Sequence, residues 1–450
     1  RSRRGCDRKR GGTPRTRRVA ITGIGLVTPV GNDVATTWDA LLAGRSGGAE
    51  ISLFDASGFP VHIAAEVKGF RADGDWADDR KQLKFANRSH RFALAAAEQA
   101  FRDAGVRPTP DTATRWGCAV GAGMMTSDFV DLAATYAHSA ADGELHAERL
   151  LTDPAANDPM VFCRSQATAG ISLLTRRYGI RGYATSVHTA CASGGQALGT
   201  ALKLIRRGAV DCVLAGGFDS MISPVGISGF CLLSALSPDN ATPQRASRPF
   251  DATRNGFLLG EGAGFLVLEA WEGARRRGAR IYAELAGDGN SLSSYRITDS
   301  PPDGDGPIQA MRAALTDAGA MPADVDYLNA HGTSTGMNDR SESAATRAVF
   351  GADVMRVNVS STKSSMGHLI AAAGAVEVAV CALAIHRGEM PINANLVNRD
   401  PDCDLNFVTG APRRQRVRVA MSNSFGFGGS NSCVVVRHPE EVDGVAGAGA

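Results

Sequence analysis

Residues 183–217 read YATSVHTACASGGQALGTALKLIRRGAVDCVLAGG and contain three elements in succession. A β-like run over 183–190 passes through a turn of small residues into a helix over 192–207, and an apolar strand beginning at Cys212 follows. A helix between two strands carries the chain back across one face of a sheet, so the strands that it joins run parallel. The sequence therefore predicts a layered α/β fold.

Strands and helices alternate over the rest of the chain as well. The run from Arg18 to Gly25 predicts a first buried strand, and helical patterns cover roughly 80–104 and 163–178. A second round follows, with strands over 264–269, 281–287, 326–330 and 432–437 and helices over 307–319, 340–349 and 368–387. The two rounds predict two related halves, 18–270 and 271–438, with mostly parallel sheets.

A weak internal match is consistent with duplication. Gly194, Ile205, Arg207 and Gly208 recur 180 residues later as Gly374, Ile385, Arg387 and Gly388. Both segments are small-residue helices closed by Arg-Gly, but glycine is common at the C-terminus of any helix. The match alone leaves duplication and chance equally open.

The composition indicates a globular protein with an asymmetric charge. The chain has 48 Lys+Arg, 46 Asp+Glu and 44% hydrophobic residues, and nine of the basic residues stand within 1–18. Residues 1–17 predict a disordered basic arm and residues 439–450 a flexible tail. The arm lacks aromatic residues, heptads and zinc-ligand spacing, so a solvated arm is favoured over a nucleic-acid-binding one.

Several classes of protein are disfavoured. Nine cysteines form an odd set without a CxxC pair, and most lie in apolar runs, which favours reduced thiols in a cytoplasmic protein. We expect neither a secretory leader nor a membrane span. The first glycine turn departs from a dinucleotide-binding fingerprint, because Thr28 stands at the third glycine position and Pro29 follows it.

Cys191 lies in the turn between the strand over 183–190 and the helix over 192–207. A thiol there faces the positive end of the helix, which predicts a lowered pKa and an available thiolate. Small residues on both sides would let a substrate carbonyl approach the sulfur. The alternative is a buried structural cysteine.

Two histidines also end elements in turns of small residues. His331 stands in AHGTST after an apolar strand, and His368 closes KSSMGH, which begins at Lys363. With Cys191 they could form a thiolate and two imidazoles, while Lys363 could hold charge or orient a ring. A zinc site is less favoured because the spacings fit no short ligand pair. His188, three residues before Cys191, would point to the other face of a strand.

These motifs, with others, resemble one enzyme family. TACASG, AHGTST, KSSMGH and NSFGFGGSN (423–431) occur in the family's order, with ASRPFD (246–251) and LGEGAG (259–264) between them. From Arg18 to His438 the chain resembles the β-ketoacyl-acyl carrier protein synthases, the elongating condensing enzymes of fatty acid and type II polyketide synthesis. The resemblance implies a thiolase-like layered fold of two pseudo-symmetric halves.

The resemblance implies roles for the central residues. Cys191 would carry the acyl chain as a thioester, and the backbone amides of Cys191 and Phe425 would form the oxyanion hole. His331 and His368 would hold the malonyl thioester and promote loss of its carboxylate, and the enolate would attack the acyl carbonyl. Lys363, paired with Glu342, would support the histidine geometry.

Further residues would serve the substrate. Thr333 and Thr335 would bind the phosphopantetheine arm of the carrier, unless they are ordinary turn residues. Phe425 would move as a gate at the thiol, on a loop made pliable by Gly426, Gly428 and Gly429. Phe230 would line the acyl tunnel, although an ordinary core position fits it equally well. We expect no bound cofactor and no metal.

The same residues separate this chain from its relatives. Degradative thiolases carry a second catalytic cysteine in the C-terminal glycine-rich loop, where this chain has Ser422 and Phe425. Initiating synthases have asparagine where His368 stands, and chain-length factors lack the cysteine. An active elongating ketosynthase is therefore expected, although a non-catalytic subunit that binds the carrier remains an alternative.

The expected partners are an acyl carrier protein and a second subunit, with neither nucleic acid nor membrane. A basic cluster of Arg80, Lys81, Lys84 and Arg88 is the candidate carrier-docking site. The segment over 124–162 is longer than usual for the family and would lie near a subunit interface. It favours a type II polyketide ketosynthase, in a homodimer or a heterodimer with a chain-length-factor-like subunit. A fatty-acid chain-elongating synthase II is the alternative.

Overall fold

Ten strands form the central sheet of the computed structural model, which describes residues 17–71, 79–123, 127–141, 143–154 and 158–442. They are β1 (Val19–Val27), β2 (Trp116–Ala122), β3 (Ala184–Val187), β4 (Cys212–Asp219), β5 (Gly262–Ala270), β6 (Ala283–Leu292), β7 (Tyr327–Asn329), β8 (Asn358–Ser360), β9 (Val419–Phe425) and β10 (Ser430–Arg437). The predicted basic arm, apart from Arg17, and residues 443–450 of the predicted tail lie outside the described residues.

The sheet is mixed. Its strands lie in the order β3-β2-β4-β5-β1-β6-β10-β9-β7-β8. β2 pairs in parallel with β3 and β4, and β7 with β8 and β9, whereas the other five neighbouring pairs are antiparallel. The α/β class is confirmed, but the expectation of mostly parallel sheets is wrong. Long segments such as 220–261, between β4 and β5, reverse the direction of the chain, so the strands that they join are antiparallel. A crossover helix would have left them parallel.

The two halves are related by topology. Strands β1–β5 lie in the spatial order 3-2-4-5-1, and β6–β10 repeat that order and those directions outward from the centre. The two sets meet at β1 and β6, where Ile21 pairs with Ala283. The predicted pair of pseudo-symmetric halves is therefore confirmed.

Helices cover both faces of the sheet. The longer ones are α1 (Val34–Leu42), α2 (Arg88–Ala104), α3 (Phe129–Ser139), α4 (Ala169–Tyr178), α5 (Ser193–Arg206), α6 (Pro224–Leu232), α7 (Asp305–Ala318), α8 (Gly336–Phe350) and α9 (Ala373–Arg387). Shorter ones span Arg80–Leu83, Arg149–Thr152, Pro159–Arg164, Trp271–Arg276 and Lys363–Met366. The predicted helix over 80–104 is interrupted because Asn87 caps α2 by accepting from the His90 backbone N–H.

The helices α5 and α9 cross at two glycines. A Cβ atom on Gly194 would lie 2.8 Å from the Ala375 nitrogen, and one on Gly374 would lie 2.7 Å from the Gly195 nitrogen, so only glycine permits the approach. The turns before the helices match too, since Ala190 has φ 49° and Ile370, 180 residues later, has φ 48°. The sequence repeat is therefore part of the repeated structure.

Helix α9 and the turn before it are unusually apolar. Among the described residues, Ile370–Arg387 is the stretch long and apolar enough to cross a membrane, with a mean hydropathy of 1.6, yet 89% of it is buried inside the protein. Its side chains share one buried cluster with those of α5 and β1. It is the central core helix of this fold.

Candidate active site

The structure brings Cys191, His331 and His368 together. Cys191 lies in a short turn between β3 and α5, His331 follows β7, and His368 stands between the helix Lys363–Met366 and α9. The Cys191 Sγ and His368 Nε2 atoms are 2.9 Å apart, and the ring centres of the two histidines are 5.3 Å apart. All three residues are buried. The predicted cluster of one thiol and two imidazoles is present in the fold.

The turn that carries Cys191 is held on both sides. Ser193 Oγ accepts from the Thr189 backbone N–H at 2.8 Å and donates to the Ala190 carbonyl at 2.6 Å. The loop after β9 lies directly against it, because a Cβ atom on Gly426 would lie 2.8 Å from the Thr189 oxygen and 3.2 Å from the Cys191 nitrogen. Gly426 therefore lets this loop reach the backbone of Cys191.

Burial decides the protonation state of Cys191. It raises the pKa of the thiol to about 12, although the Lys363 cation and the Phe427 backbone N–H beside the sulfur both act to lower it. The expectation that the helix terminus lowers this pKa is wrong, because the loss of solvation of the thiolate outweighs the nearby positive charge. Cys191 is therefore a thiol rather than a thiolate near neutral pH.

Both histidines are neutral. Burial, followed by the nearby Lys363 cation, holds the pKa of His331 and of His368 well below the usual value. The Ile370 backbone N–H donates to His368 Nδ1 at 3.2 Å, which assigns the ring proton of His368 to Nε2. Neutral rings that present an N–H can donate hydrogen bonds to a developing negative oxygen.

The same three residues could in principle offer ligands to a metal, since their donor atoms lie within 4.8 Å of one another. Two ligands of a tetrahedral zinc ion would stand about 3.5 Å apart, whereas Cys191 Sγ and His368 Nε2 are 2.9 Å apart. The proton on Nε2 also removes its free electron pair. The geometry fits a hydrogen bond between thiol and imidazole.

Lys363 pairs with Glu377, not with Glu342 as predicted. The Lys363 Nζ contacts the carboxylate of Glu377 on α9, and both side chains are buried. Glu342 on α8 instead accepts from the backbone N–H groups of His331 at 2.8 Å and Gly332 at 2.7 Å, and from the Asn423 amide. Glu342 therefore supports the turn of His331 by direct hydrogen bonds, and burial raises its pKa to about 7.

Phe425 is the last residue of β9. Its ring lies 5.7 Å from that of His331. Phe425 stands opposite Asn431, and the next residue, Gly426, donates its N–H to Ser430 on β10. Because bonded and non-bonded pairs alternate in an antiparallel ladder, the N–H of Phe425 points away from β10.

Two aromatic residues near the thiol were missed in the sequence. Phe427 lies in the turn Phe427–Gly429, with its ring 6.4 Å from that of Phe230. Phe257 stands between Phe230 at 5.2 Å and His368 at 5.4 Å. Phe427 is part of the NSFGFGGSN motif over 423–431, whereas Phe257 carries no signal beyond its position just before LGEGAG.

A cavity of about 340 Å³ opens beside these groups and is lined by Cys191, His331, His368 and Phe230. Thr333 and Thr335 line it as well, and their hydroxyl oxygens are 2.9 Å apart. His188 is exposed and hydrogen bonds to the Ser186 hydroxyl, outside the cavity.

The predicted basic cluster is only partly available. Lys81 and Lys84 are exposed, and the side chain of Arg80 lies outside the described residues. Arg88 instead forms two hydrogen bonds with the buried carboxylate of Glu261, at 2.8 and 2.5 Å. Arg88 is therefore held in an ion pair with a buried carboxylate, although its own side chain is 33% exposed.

The fold and this site define a condensing enzyme, in which a thiol and two imidazoles share one buried cavity. Residues 16–274 match the family described as beta-ketoacyl synthase, N-terminal domain, and residues 282–397 match beta-ketoacyl synthase, C-terminal domain. The chain belongs to the β-ketoacyl synthase family and is an acyltransferase.

Individual relatives cover nearly the whole chain. It is 40% identical over 421 residues to 3-oxoacyl-[acyl-carrier-protein] synthase 2 of Coxiella burnetii (strain RSA 493 / Nine Mile phase I), covering 93% of this chain and 98% of the relative. The enzyme of the same name from Staphylococcus aureus (strain COL) is 38% identical, covering 94% and 98%.

Two solved structures have the same fold. One is a type II polyketide synthase acyl-carrier protein in complex with its ketosynthase bound to the hexaketide; its match has a TM-score of 0.83 and 32% identity and covers 95% of this chain and 100% of that chain. The other is the ishigamide ketosynthase/chain length factor, with a TM-score of 0.82 and 35% identity, covering 94% and 99%.

Proposed function

We propose that this β-ketoacyl synthase condenses malonyl-acyl carrier protein with an acyl chain held on Cys191, in type II polyketide biosynthesis. The observation that carries the condensation chemistry is the 2.9 Å contact between Cys191 Sγ and His368 Nε2 in a cavity that also contains His331. The similarity to type II polyketide ketosynthase structures supports the pathway. One nucleophile and two neutral donors suit two successive acyl-transfer steps at one carbonyl position.

In the first step Cys191 is acylated. Its sulfur attacks the carrier thioester, a new C–S bond forms, the bond to the pantetheine sulfur breaks, and the thiol proton goes to the leaving sulfur. The backbone N–H groups of Cys191 and Phe425 hold the tetrahedral oxyanion. The N–H of Phe425 points away from β10, and Gly426 brings its loop against the Cys191 nitrogen.

In the second step malonyl thioester loses its carboxylate. His368 Nε2–H and the neutral ring of His331 donate to the thioester oxygen, so the electron pair of the breaking C–C bond forms an enolate while carbon dioxide or bicarbonate leaves. The enolate carbon attacks the acyl carbonyl, the C–S bond to Cys191 breaks, and the departing thiolate takes a proton from solvent to return to the resting thiol. Lys363 adds positive charge nearby, and its partner Glu377 holds it in place.

Access to the thiol depends on the loop after β9. Phe425 is held in the strand ladder, whereas Phe427 lies in a turn in which Gly428 has φ 82°. We therefore assign the moving aromatic gate to Phe427 rather than Phe425, with Phe230 at the acyl end of the cavity. Thr333 and Thr335 bind the phosphopantetheine arm of the carrier, and the enzyme itself needs no bound cofactor.

Separate variants test the mechanism. Cys191→Ala should lose acyl loading, whereas His331→Ala and His368→Ala should load at close to the wild-type rate and lose decarboxylation by about 10²-fold or more. Loading is followed by intact mass and decarboxylation by release of labelled carbon dioxide. Histidine variants that condense at the wild-type rate would overturn these roles.

The second candidate function is fatty-acid elongation, favoured by relatives named 3-oxoacyl-[acyl-carrier-protein] synthase 2 at 38–40% identity. Incubation with a panel of saturated and poly-β-keto acyl carrier thioesters separates the two by intact mass. Repeated extension without reduction supports the polyketide assignment, and a single extension of saturated chains supports fatty-acid elongation.

A second subunit is expected at the free edge of β3. The segment after β2 also carries apolar side chains that are unusually exposed: Val130, Tyr136, Leu151 and Phe162 are 76, 59, 90 and 67% exposed. Contact with a second copy or a chain-length-factor-like subunit would pair the free edge of β3 and bury the exposed apolar side chains. Light scattering tests the dimer, and a monodisperse monomer that condenses acyl thioesters would refute it.

We place the enzyme in the cytoplasm, because the eight cysteines of the described residues are free thiols. A non-catalytic carrier-binding subunit is the remaining alternative. It predicts that incubation with acyl carrier thioester leaves the intact mass of the protein unchanged, because Cys191 is not acylated.

A further inference from the structure

The turns before α5 and α9, which correspond in the two halves, differ in the groups to which their backbone N–H groups donate. Ala371 stands 180 residues after Cys191, at the corresponding point of the turn before α9. Its N–H donates to Asp219 Oδ2 at 3.1 Å. In the first half the corresponding amide is that of Cys191, which we assign to the oxyanion hole. The second half thus holds a permanent carboxylate at the place where the first half holds a transient negative oxygen.

Asp219 is built into this position. It is the last residue of β4 and is 2% exposed. Its Oδ1 accepts from the Ser220 N–H at 2.8 Å, so each carboxylate oxygen has a backbone donor. A Cβ atom on Gly123 would lie 2.2 Å from that Oδ1 atom, so glycine at the end of β2 is what leaves room for the carboxylate.

The turn that Asp219 holds also sets the state of His368. Ile370 donates its N–H to His368 Nδ1 at 3.2 Å, and the next N–H, of Ala371, goes to Asp219. Ile370 has φ 48°, a conformation that a β-branched residue rarely adopts and keeps only where its surroundings hold it. Release of the Ala371 amide would let this turn relax and withdraw the Ile370 N–H from the imidazole.

We propose that Asp219 is a positioning residue for condensation, which holds the Ile370–Ala371 turn and thereby keeps the proton of His368 on Nε2, facing Cys191. The proposal deepens the proposed function and rests on it for the catalytic consequence. The predicted proton position does not depend on which substrate is used.

The test is Asp219→Asn, which keeps the shape but replaces one acceptor oxygen with an amide NH₂ group that faces a backbone donor. The matched control is Asp288→Asn, another buried aspartate, whose carboxylate accepts from the Asn290 side chain and from Lys203 Nζ away from the cavity. All proteins are compared at pH 8, where Asp219, with a pKa that burial raises to about 7, is ionised.

The first readout is the ¹⁵N spectrum of selectively labelled histidine. The chain has nine histidines, and His368→Gln assigns the signal of His368. We expect the Nε2–H form in the wild type and in Asp288→Asn, and a mixture of both neutral forms in Asp219→Asn. A wild-type spectrum in folded Asp219→Asn would overturn the proposal whether or not the enzyme condenses polyketide substrates.

The second readout separates the two half-reactions. Asp219→Asn should lower kcat for malonyl decarboxylation about tenfold or more, part of the effect of removing an oxyanion donor, with KM little changed. Acyl loading of Cys191 should not fall, because removal of the Asp219 charge acts to lower the pKa of that thiol. Equal loss of loading and decarboxylation would mean a general structural defect and overturn the positioning role.

Should Asp219→Asn fold poorly, the double variant with Ile370→Gly keeps the proposal testable. Glycine adopts the left-handed turn without strain, so the turn needs no carboxylate to hold it. The double variant should regain the Nε2–H form of His368. A double variant that still shows a mixture would overturn the link between the strained turn and the imidazole.

Discussion

Replacing Lys363 with methionine should destabilise the protein because it leaves a buried carboxylate unpaired. The side chains of Lys363 and Glu377 are each 1% exposed, and Glu377 Oε2 accepts no hydrogen bond from any described residue. Removing one member of such a pair costs about 3–5 kcal/mol. With an unfolding entropy of about 2.1 cal/mol/K per residue and 450 residues, the unfolding midpoint should fall by roughly 3–5 °C.

The double variant Lys363→Met/Glu377→Gln shows whether the unpaired charge causes that loss. Without either charge the interior should recover most of its stability, to within about 2 kcal/mol of the wild type. Calorimetry of the wild type, both single variants and the double variant closes the cycle. A Lys363→Met variant with the wild-type midpoint, or a double variant less stable than either single one, would refute the reasoning.

The same variant should change chemistry in a defined direction. Lys363 acts to lower the pKa of Cys191, so its loss should raise that pKa further and slow acyl loading. His331 and His368 should remain neutral, because burial is the larger cause of their lowered pKa values. Lys68→Met, which removes an exposed lysine outside the candidate carrier-docking cluster, is the control. Loading at the wild-type rate in Lys363→Met would contradict the role of the cation.

Three further results are expected. Gly426→Ala should cut condensation about tenfold or more, because the added methyl group would push the loop away from Cys191. Gly428→Ala, at a left-handed position with open space around it, should cost about 1 kcal/mol of stability. Equal activities of the two variants would contradict the close approach of Gly426 to the Cys191 backbone. Iodoacetamide should modify exposed Cys163 as well as Cys191, but only Cys191 should be protected by prior acylation, as peptide mass mapping would show. Glu342 binds its proton more tightly in the folded state, with a pKa of about 7 against 4.5, so its contribution to the free energy of unfolding falls as the pH rises between those values. Glu342→Gln should remove about 3 kcal/mol of that decline. Denaturant titrations that show the wild-type dependence of the unfolding free energy on pH between pH 5 and 7 would refute this.

The nucleophile and both histidines could be found from the sequence because each stands in a turn of small residues at the end of a strand or helix. Such turns are local, and the residue types needed for nucleophilic and donor chemistry are few. The pairing of the halves was also visible, since Gly194 and Gly374 are required where α5 and α9 touch.

The sequence could not identify the ion-pair partner of Lys363 in the same way. Glu342 and Glu377 are both buried acids on helices, and only the packing of α9 against the turn after β8 decides between them. The pKa of Cys191 depends on how much of its surroundings excludes water, which no local pattern reports. Strand β8 escaped notice because Asn358–Ser360 is three residues long and largely polar.

The long apolar helix at the centre bears on how the chain can be divided. Helix α9 belongs to the second half by sequence, but its glycine surface is filled by α5 of the first half. Expressed alone, residues 271–438 would expose a stretch that has the length and hydropathy of a membrane span, and residues 18–270 would lose the partner of α5. We therefore expect neither half to fold on its own, and chimaeras between related synthases should exchange loops around this helix pair and keep α5 and α9 from one parent.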